Sequence, residues 1–161
     1  MLKLYDYPDC PYAQKVRVVL AEKELEYETV LVDLRKQEQR TPEFLRLNPL
    51  GKVPILVDDD EVVCDSTIIN EYLEDEYPST RLMPEDSQGR AQVRWFEDYC
   101  DNEFIPYTID HIHQRNSTSS NAASAHDLTF ARSNCRKIDS YASTHTRNDK
   151  SIRDCLSPTF P

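Results

Sequence analysis

The N-terminal residues place a strand, a helix and a second strand in direct succession. Residues 2–5 alternate apolar and polar side chains, a pattern typical of a half-buried strand. Pro11 suits the first turn of a helix, and apolar residues then recur at helical spacing to about Glu24. Residues 27–32 are rich in β-branched side chains and predict the second strand. If the two strands pair in parallel, the helix between them is a right-handed crossover and the fold class is α/β.

The spacing along this first helix also predicts which of its side chains are buried. The face expected in the core carries Ala13, Val16, Val19 and Leu20. The charged residues fall largely on the other faces and are expected in solvent: Lys15, Arg17, Glu22 and Lys23.

Cys10 lies directly before this helix, where the chain leaves the first strand. The partial positive charge and unpaired N–H groups of a helix N-terminus favour the thiolate, which is the reactive form of the side chain. Cys10 is therefore a candidate nucleophile. The alternative is that Cys10 is a small buried apolar residue, as free cysteines commonly are.

Downstream patterns predict four more elements and a change of region. They are a short helix capped by Thr41 and ended by Asn48-Pro49, a hairpin of residues 54–58 and 61–65 that turns at Asp59-Asp60, and a helix that Ser66 caps and Pro78 stops. A second periodic segment begins near Pro84 and predicts a long helix of a separate region.

Charge and cysteine spacing exclude several classes of function. The chain carries 29 acidic and 19 basic residues, a net charge of −10, which argues against nucleic acid or an anionic membrane surface as a partner. No apolar run approaches the ~20 residues of a membrane span. The five cysteines form no C-x-x-C pair and no zinc-type spacing, so we expect no metal and a reducing, cytoplasmic location. With only two glycines, turns are expected to rely on Pro, Asp and Asn.

The composition changes after residue 114. Residues 115–161 contain no Glu and no Val, and Ser and Thr make up 14 of these 47 residues. Large apolar residues are few and lack helical spacing, so this segment buries too little to offset its ordering entropy. We expect it to be irregular or disordered. One hypothesis is a frameshifted or degraded gene product, which translation of the coding DNA in its other two frames would test.

Three motifs, taken in order, resemble the cytosolic glutathione S-transferase superfamily. They are Cys10-Pro11-Tyr12, the run Asn-Pro-Leu-Gly-Lys-Val-Pro at 48–54, and Asp65-Ser66. The first, together with Lys15-Val16-Arg17, is most similar to cysteine-type members such as the omega class and related bacterial proteins. The resemblance implies a thioredoxin-like α/β domain, in the order βαβ-α-ββα, followed by a partial all-α C-terminal region. The expected boundaries are 1–78 for the thioredoxin-like domain, 79–86 for a linker, 87–114 for the start of the all-α domain and 115–161 for the irregular tail.

The resemblance also implies how glutathione is held. The Val53-Pro54 bond is expected to be cis, with the backbone of Val53 pairing with the cysteinyl part of glutathione; the alternative is a trans proline that opens an edge strand. Asp65 and Ser66 are expected to hold the γ-glutamyl end, although most members have Glu or Gln at the first of these positions. Alternatively, Ser66 only caps its helix.

The glycine carboxylate of glutathione usually meets a basic residue near the second helix of the family. The candidates here are Arg40 and, less well placed, Lys52, but neither stands in a clear motif and the sequence favours a solvated surface charge at each.

The implied function is glutathione-dependent chemistry through Cys10. Its thiolate would attack a mixed disulfide or oxidised substrate, and a second glutathione would resolve the resulting Cys10–glutathione disulfide. Ala13 occupies the position of the second cysteine in dithiol oxidoreductases, which leaves a monothiol reaction. Tyr5, Tyr7 and Tyr12 are near the site, so a tyrosine-assisted transferase stays open as well.

Further expectations concern partners. Glutathione would be the co-substrate, together with a small electrophilic or disulfide substrate, and a homodimer is the assembly that the resemblance suggests. The alternative function is a non-catalytic interaction protein similar to the stringent starvation protein A group, which associates with RNA polymerase. The family's all-α domain has about five helices and this sequence predicts one or two, so a truncated C-terminal domain is expected.

Overall fold

The structure, a computed structural model, describes residues 1–109 as one mixed sheet with helices on both faces. In chain order the elements are β1 (Leu2–Asp6), α1 (Pro11–Glu22), β2 (Glu28–Leu31), α2 (Pro42–Leu47), β3 (Ile55–Asp58), β4 (Glu61–Cys64), α3 (Ser66–Glu76) and α4 (Ser87–Tyr99). Two short 3₁₀ turns, Leu34–Lys36 and Glu38–Arg40, precede α2, and a π-helical segment, Cys100–Phe104, continues α4.

The sheet has the strand order β2-β1-β3-β4. β1 and β2 are parallel, with Lys3 opposite Glu28, and α1 connects them. The other pairs are antiparallel, and β3 and β4 form a hairpin. This arrangement confirms the predicted thioredoxin-like α/β class and the order βαβ-α-ββα. The domain boundaries at residues 78 and 86 stay predictions.

Each face of the sheet has its own apolar cluster. On one face, α1 and α3 cover the side chains of β1 and β3; this cluster contains Leu2, Leu4, Val16, Leu20, Leu56, Ile69 and Leu73. On the other face, α2 covers a smaller cluster of Val32, Phe44, Val53 and Ile55, against which Cys10 packs. The predicted buried face of α1 is confirmed for Ala13, Val16 and Leu20, which are fully buried.

Lys23 is buried, which corrects the expectation that it meets solvent. Its side chain has no exposed area, and Nζ lies 2.7 Å from Glu74 Oε2. Nζ also donates to the carbonyls of Tyr77 at 3.0 Å and Thr80 at 2.7 Å. The Glu74 carboxylate in turn accepts from the N–H group of Leu82 at 3.2 Å and from that of Met83 at 3.1 Å. The pair therefore fixes the segment between α3 and α4 to the end of α1.

Residues with a left-handed backbone (positive φ) include types other than the Pro, Asp and Asn that were expected in turns. Asp59, in the hairpin, and Asp65, before α3, fit the expectation, but Glu24 and Gln37 also have positive φ. Glu24 follows Lys23, the C-cap residue of α1, and its N–H donates to the carbonyl of Ala21 at 3.0 Å; a left-handed residue commonly closes a helix at this position. Gln37 lies between the two 3₁₀ turns.

Among residues 1–109, no helix is long and apolar enough to cross a membrane, and no group of His, Cys, Asp and Glu has a metal-binding arrangement. The predicted long helix is confirmed over Ser87–Tyr99, and several of its apolar side chains are exposed, including Trp95 and Phe96. The predicted irregular tail, the frameshift hypothesis and the truncated C-terminal domain concern residues 110–161, which lie outside the described residues.

Candidate active site around Cys10

Cys10 is the N-cap residue of α1, at the turn that leaves β1. Its N–H donates to the carbonyl of Tyr7 at 2.9 Å, and its own carbonyl accepts from Gln14 at 3.0 Å. Arg17, expected in solvent, instead donates from Nη1 to both carboxylate oxygens of the buried Asp6, at 2.7 and 2.6 Å. Its Nη2 reaches the carbonyl of Pro8 at 3.1 Å. Arg17 thus fixes the turn on which Cys10 lies.

The Cys10 thiol does not have the lowered pKa that its position suggested. Burial is the largest influence and raises the pKa above its ordinary value. The N–H groups of Ala13 and Tyr12 act in the opposite direction, as expected at a helix N-terminus, but they do not reverse the shift. No hydrogen bond of cap geometry reaches the sulfur. In this state the side chain is a neutral thiol at pH 7, because burial outweighs the helix terminus.

The Val53-Pro54 bond is cis, as predicted. Val53 and Pro54 are both buried, and the carbonyl oxygen of Val53 lies 4.0 Å from the Sγ of Cys10, a long contact in which the thiol can donate. Asn48 fixes this loop, since its Nδ2 donates to the carbonyl of Lys52 at 2.9 Å. The structure therefore brings Cys10 and the residue before the cis proline together.

Arg40 lies against the loop that leads to the cis bond. Gly51 has a φ of +62°, and a Cβ added there would lie 3.0 Å from the Arg40 guanidinium Nη1. Both Arg40 and Lys52 are exposed. Gln39 was not among the predicted site residues, yet its Oε1 is buried and lacks a hydrogen-bond partner among residues 1–109. Gln39 lies in a charged stretch whose pattern carries no signal for such a role.

Asp65, rather than Ser66, is the N-cap of α3. Its Oδ1 accepts from the N–H of Thr67 at 2.9 Å and from that of Ile68 at 3.4 Å, and its φ is +78°. Ser66 is the first residue of the helix and is buried. Two of the N–H groups expected to receive a ligand carboxylate therefore already bind Asp65. The prediction that Ser66 caps the helix was wrong, because the carboxylate of Asp65 instead accepts from the N–H groups of the first turn.

A charged cluster missed by the sequence analysis joins this region to the helix after α3. Lys15, expected in solvent, donates from Nζ to both carboxylate oxygens of Asp101, at 2.8 and 2.7 Å, and lies 3.0 Å from Glu97. The Oγ1 of Thr67 donates to Asp101 Oδ2 at 3.3 Å, and the hydroxyl of Tyr12 donates to the Asp101 carbonyl at 3.3 Å. Partial burial lowers the pKa of Lys15, but its hydrogen bonds to Asp101 and Glu97 outweigh burial and the net shift is upward.

Tyr12 is the tyrosine whose hydroxyl pKa is influenced by Cys10. Burial, then the charges of Asp101 and Cys10, raise its pKa, so the phenol stays protonated at neutral pH. Tyr5 packs edge-on against the aromatic ring of α2, and Tyr7 lines a separate open cleft of about 460 Å³. The cleft lies between the β1–α1 turn and the turn after β2, and its other lining residues are Pro8, Asp9, Leu31, Val32, Asp33, Arg35 and Glu38.

Comparison with known proteins places this geometry in a family. The family model of the glutathione S-transferase N-terminal domain matches residues 9–76. Over its N-terminal part, the chain is thus similar to the glutathione S-transferases. A zeta-class glutathione S-transferase of Euphorbia esula is 48% identical over 90 residues, which are 56% of this chain and 40% of that protein.

Two solved structures resemble the chain with a TM-score of 0.62 each. One is the β-etherase LigF from Sphingobium, 41% identical over 66% of this chain and 44% of that one. The other is the holo form of maleyl pyruvate isomerase, a bacterial zeta-class member, 34% identical over 65% of this chain and 49% of that one.

These comparisons confirm the superfamily that the motifs indicated. Two of these relatives are zeta-class proteins and the third is a β-etherase. None of their names supports the omega-like subclass that Cys10-Pro11-Tyr12 suggested. The chain spans about two fifths of the length of the curated relatives that it matches. What the whole protein acts on is therefore a matter for proposal.

Proposed function

We propose that this chain binds glutathione between the N-terminal turns of α1 and α3 and uses it in a transfer reaction at Cys10. The observation that carries the proposal is the pairing of Cys10 with the residue before a cis proline, at 4.0 Å from Sγ to the Val53 carbonyl. Membership of residues 9–76 in the glutathione S-transferase N-terminal family supports it. The backbone of Val53 would pair with the cysteinyl part of glutathione, and its thiol would then lie beside Cys10.

The other candidate residues would hold the ends of the tripeptide. Asp65 and Ser66 would meet the γ-glutamyl end, with the Asp65 carboxylate near the amine and the buried Ser66 within reach of the carboxylate. Arg40 would meet the glycine carboxylate, because its guanidinium packs against Gly51 in the cis-proline loop. Lys52 is exposed on the same loop and could serve only at its edge.

The reaction that we propose is monothiol transfer. The Cys10 thiol, which is neutral at rest, first gives its proton to solvent, and the resulting thiolate attacks the glutathione sulfur of a mixed disulfide. A Cys10–glutathione disulfide forms, and the substrate thiolate leaves and takes up a proton. The thiolate of a second glutathione attacks this disulfide and releases oxidised glutathione and the Cys10 thiolate. Ala13, which follows Cys10 by three positions, leaves no neighbouring thiol to resolve the disulfide internally.

A second candidate is glutathione addition to an electrophile, with Cys10 as a hydrogen-bond donor. The raised pKa of the Cys10 thiol favours it, because a neutral thiol can donate to the thiolate of bound glutathione. The names of two relatives, an isomerase and a β-etherase, also favour glutathione addition over thiol transfer. Here the glutathione sulfur would be the nucleophile, and Cys10 would stay unmodified.

Replacement of Cys10 separates the two reactions. We expect Cys10→Ser to abolish reduction of a glutathionylated peptide, because a hydroxyl cannot form the disulfide intermediate. If addition is the activity, Cys10→Ser keeps turnover of an activated aryl halide, while Cys10→Ala, which has no donor, loses most of it. Cys64→Ser is the matched control, since Cys64 is also a half-buried free thiol.

Full peptide reduction by Cys10→Ser would refute the monothiol reaction. If the intact protein is not retained on immobilised glutathione, the glutathione site itself is wrong, and the non-catalytic interaction protein becomes the better account. The electrophilic or disulfide substrate, a homodimer and a cytoplasmic location remain part of this proposal.

A further inference from the structure

Asp101 contacts both helices whose N-termini form the proposed glutathione site. From the π-helical segment after α4, its carboxylate binds Lys15 in the second turn of α1 and Thr67 in the first turn of α3. Its carbonyl accepts from Tyr12, two residues after Cys10. Among residues 1–109, the hydrogen bonds of Asp101 thus link the chain next to Cys10 with the chain next to Ser66.

These contacts differ in strength from an ordinary surface ion pair. The side chains of Lys15 and Asp101 are each about four-fifths buried, with 21% and 17% exposed. Ionised partners at 2.7–2.8 Å form the stronger class of hydrogen bond, and partial burial reduces screening by water. The segment that carries Asp101 is π-helical, a geometry that commonly occurs at functional positions in helices.

We propose that Asp101 is a positioning residue, which sets the spacing between the N-termini of α1 and α3 and so preorganises the glutathione site. The inference rests on the proposed function. Asp101 does not need to touch glutathione; it acts through Lys15, Tyr12 and Thr67. A tripeptide held at both ends is sensitive to the separation of its two anchors, because a shift of a few tenths of an ångström weakens both sets of contacts.

The test compares glutathione affinity with thermal stability in matched acid-to-amide variants of the full chain. Asp101→Asn removes the charge that holds Lys15. Glu71→Gln removes another ion pair between α3 and α4, in which Arg94 Nε lies 2.7 Å from Glu71 Oε1, but it leaves both helix N-termini alone. Asp98→Asn lies on the same helical run and changes a carboxylate that accepts only from Asn102 in the described structure.

Glutathione binding is measured by isothermal titration calorimetry, and the unfolding midpoint is measured without ligand. We expect Asp101→Asn to raise the dissociation constant about tenfold, which corresponds to one charge-assisted contact. Glu71→Gln and Asp98→Asn should leave the dissociation constant unchanged, even where the midpoint of Glu71→Gln falls as far as that of Asp101→Asn. If Asp101→Asn does not fold, Lys15→Gln takes its place, with the same expected loss of affinity.

An unchanged dissociation constant for Asp101→Asn would overturn the positioning role, as would an equal loss for Glu71→Gln, which would indicate general destabilisation. Failure of the unsubstituted protein to bind glutathione is a distinct result, because it overturns the proposed function itself.

Discussion

At the scale of single residues, burial decides the role of a charged side chain. Lys23 and Glu74 form a buried pair whose remaining hydrogen-bonding groups are taken up by backbone atoms of residues 77–83. Burial works to raise the pKa of Glu74, but Lys23 and the backbone N–H groups hold it below its ordinary value. Such a pair contributes little net stability over apolar residues of the same shape, but removing one partner leaves an uncompensated buried charge.

Lys23→Met should therefore lower the free energy of unfolding by about 3–5 kcal/mol, the range for one lost partner of a buried pair. Lys36→Met is the control, because Lys36 is exposed and water screens its ion pair with Asp33, so that little stability is lost. Urea denaturation monitored by tryptophan fluorescence measures both. Equal stability of the two variants would contradict the role assigned to the buried pair.

The burial of single residues could be predicted from the sequence only in part. The helical spacing of apolar residues in α1 identified Ala13, Val16 and Leu20 as buried, because this periodicity shows which face of the helix a residue occupies. It could not place Lys23, since the acceptors for its ammonium come from α3 and the loop beyond it. The predicted lowering of the Cys10 pKa was wrong for a related reason. The predicted position at a helix N-terminus is confirmed, but the burial that raises the thiol pKa depends on packing against the other face of the sheet.

At the scale of elements, the β3–β4 hairpin is tied to α3 by two phenols. The hydroxyls of Tyr72 and Tyr77 both donate to Asp58 Oδ2, at 3.0 and 2.7 Å. Burial and Asp58 raise the pKa of Tyr72 to about 12, and the hydrogen bond to Asp58 raises that of Tyr77 further. Both phenols must therefore remain protonated for the hairpin to stay joined to the helix.

A folded-state pKa above the unfolded value makes stability depend on alkaline pH. The contribution of the two phenols is complete below pH ~10, the unfolded value; that of Tyr72 is lost as pH rises through its folded pKa of about 12, and that of Tyr77 is lost at higher pH. We expect the free energy of unfolding to fall between these pH values, and to fall less steeply in Tyr77→Phe. Denaturation at a series of pH values measures the slope. Identical slopes for the intact protein and Tyr77→Phe would contradict the tie.

Most elements could be predicted because their signals are local. Thr41 caps α2 as expected, with its Oγ1 accepting from the N–H of Phe44, and the Asp59-Asp60 turn joins β3 to β4. The π-helical segment was not predicted, since nothing in residues 100–104 departs from an ordinary helical pattern. In the structure Asp101 is bound to α1 and α3 there, and such long-range contacts leave no periodic trace in the sequence.

At the scale of the whole molecule, the account depends on three separate parts of the chain meeting at one site. The turn at Cys10 follows β1, the cis proline precedes β3, and Asp65 and Ser66 open α3. The sheet order places β1 beside β3, so the first two parts are neighbours because their strands pair. The third follows β4, the next strand in the sheet.

If these three parts form one glutathione site, amide chemical shifts will show it residue by residue. In ¹H–¹⁵N spectra titrated with S-methylglutathione, a non-reactive analogue, the largest shifts should fall on the amides of Cys10, Ala13, Val53, Ser66 and Thr67. The hairpin turn at Asp59-Asp60 should not respond. Largest shifts at the cleft between Leu31 and Glu38, or none at saturating analogue, would contradict the site.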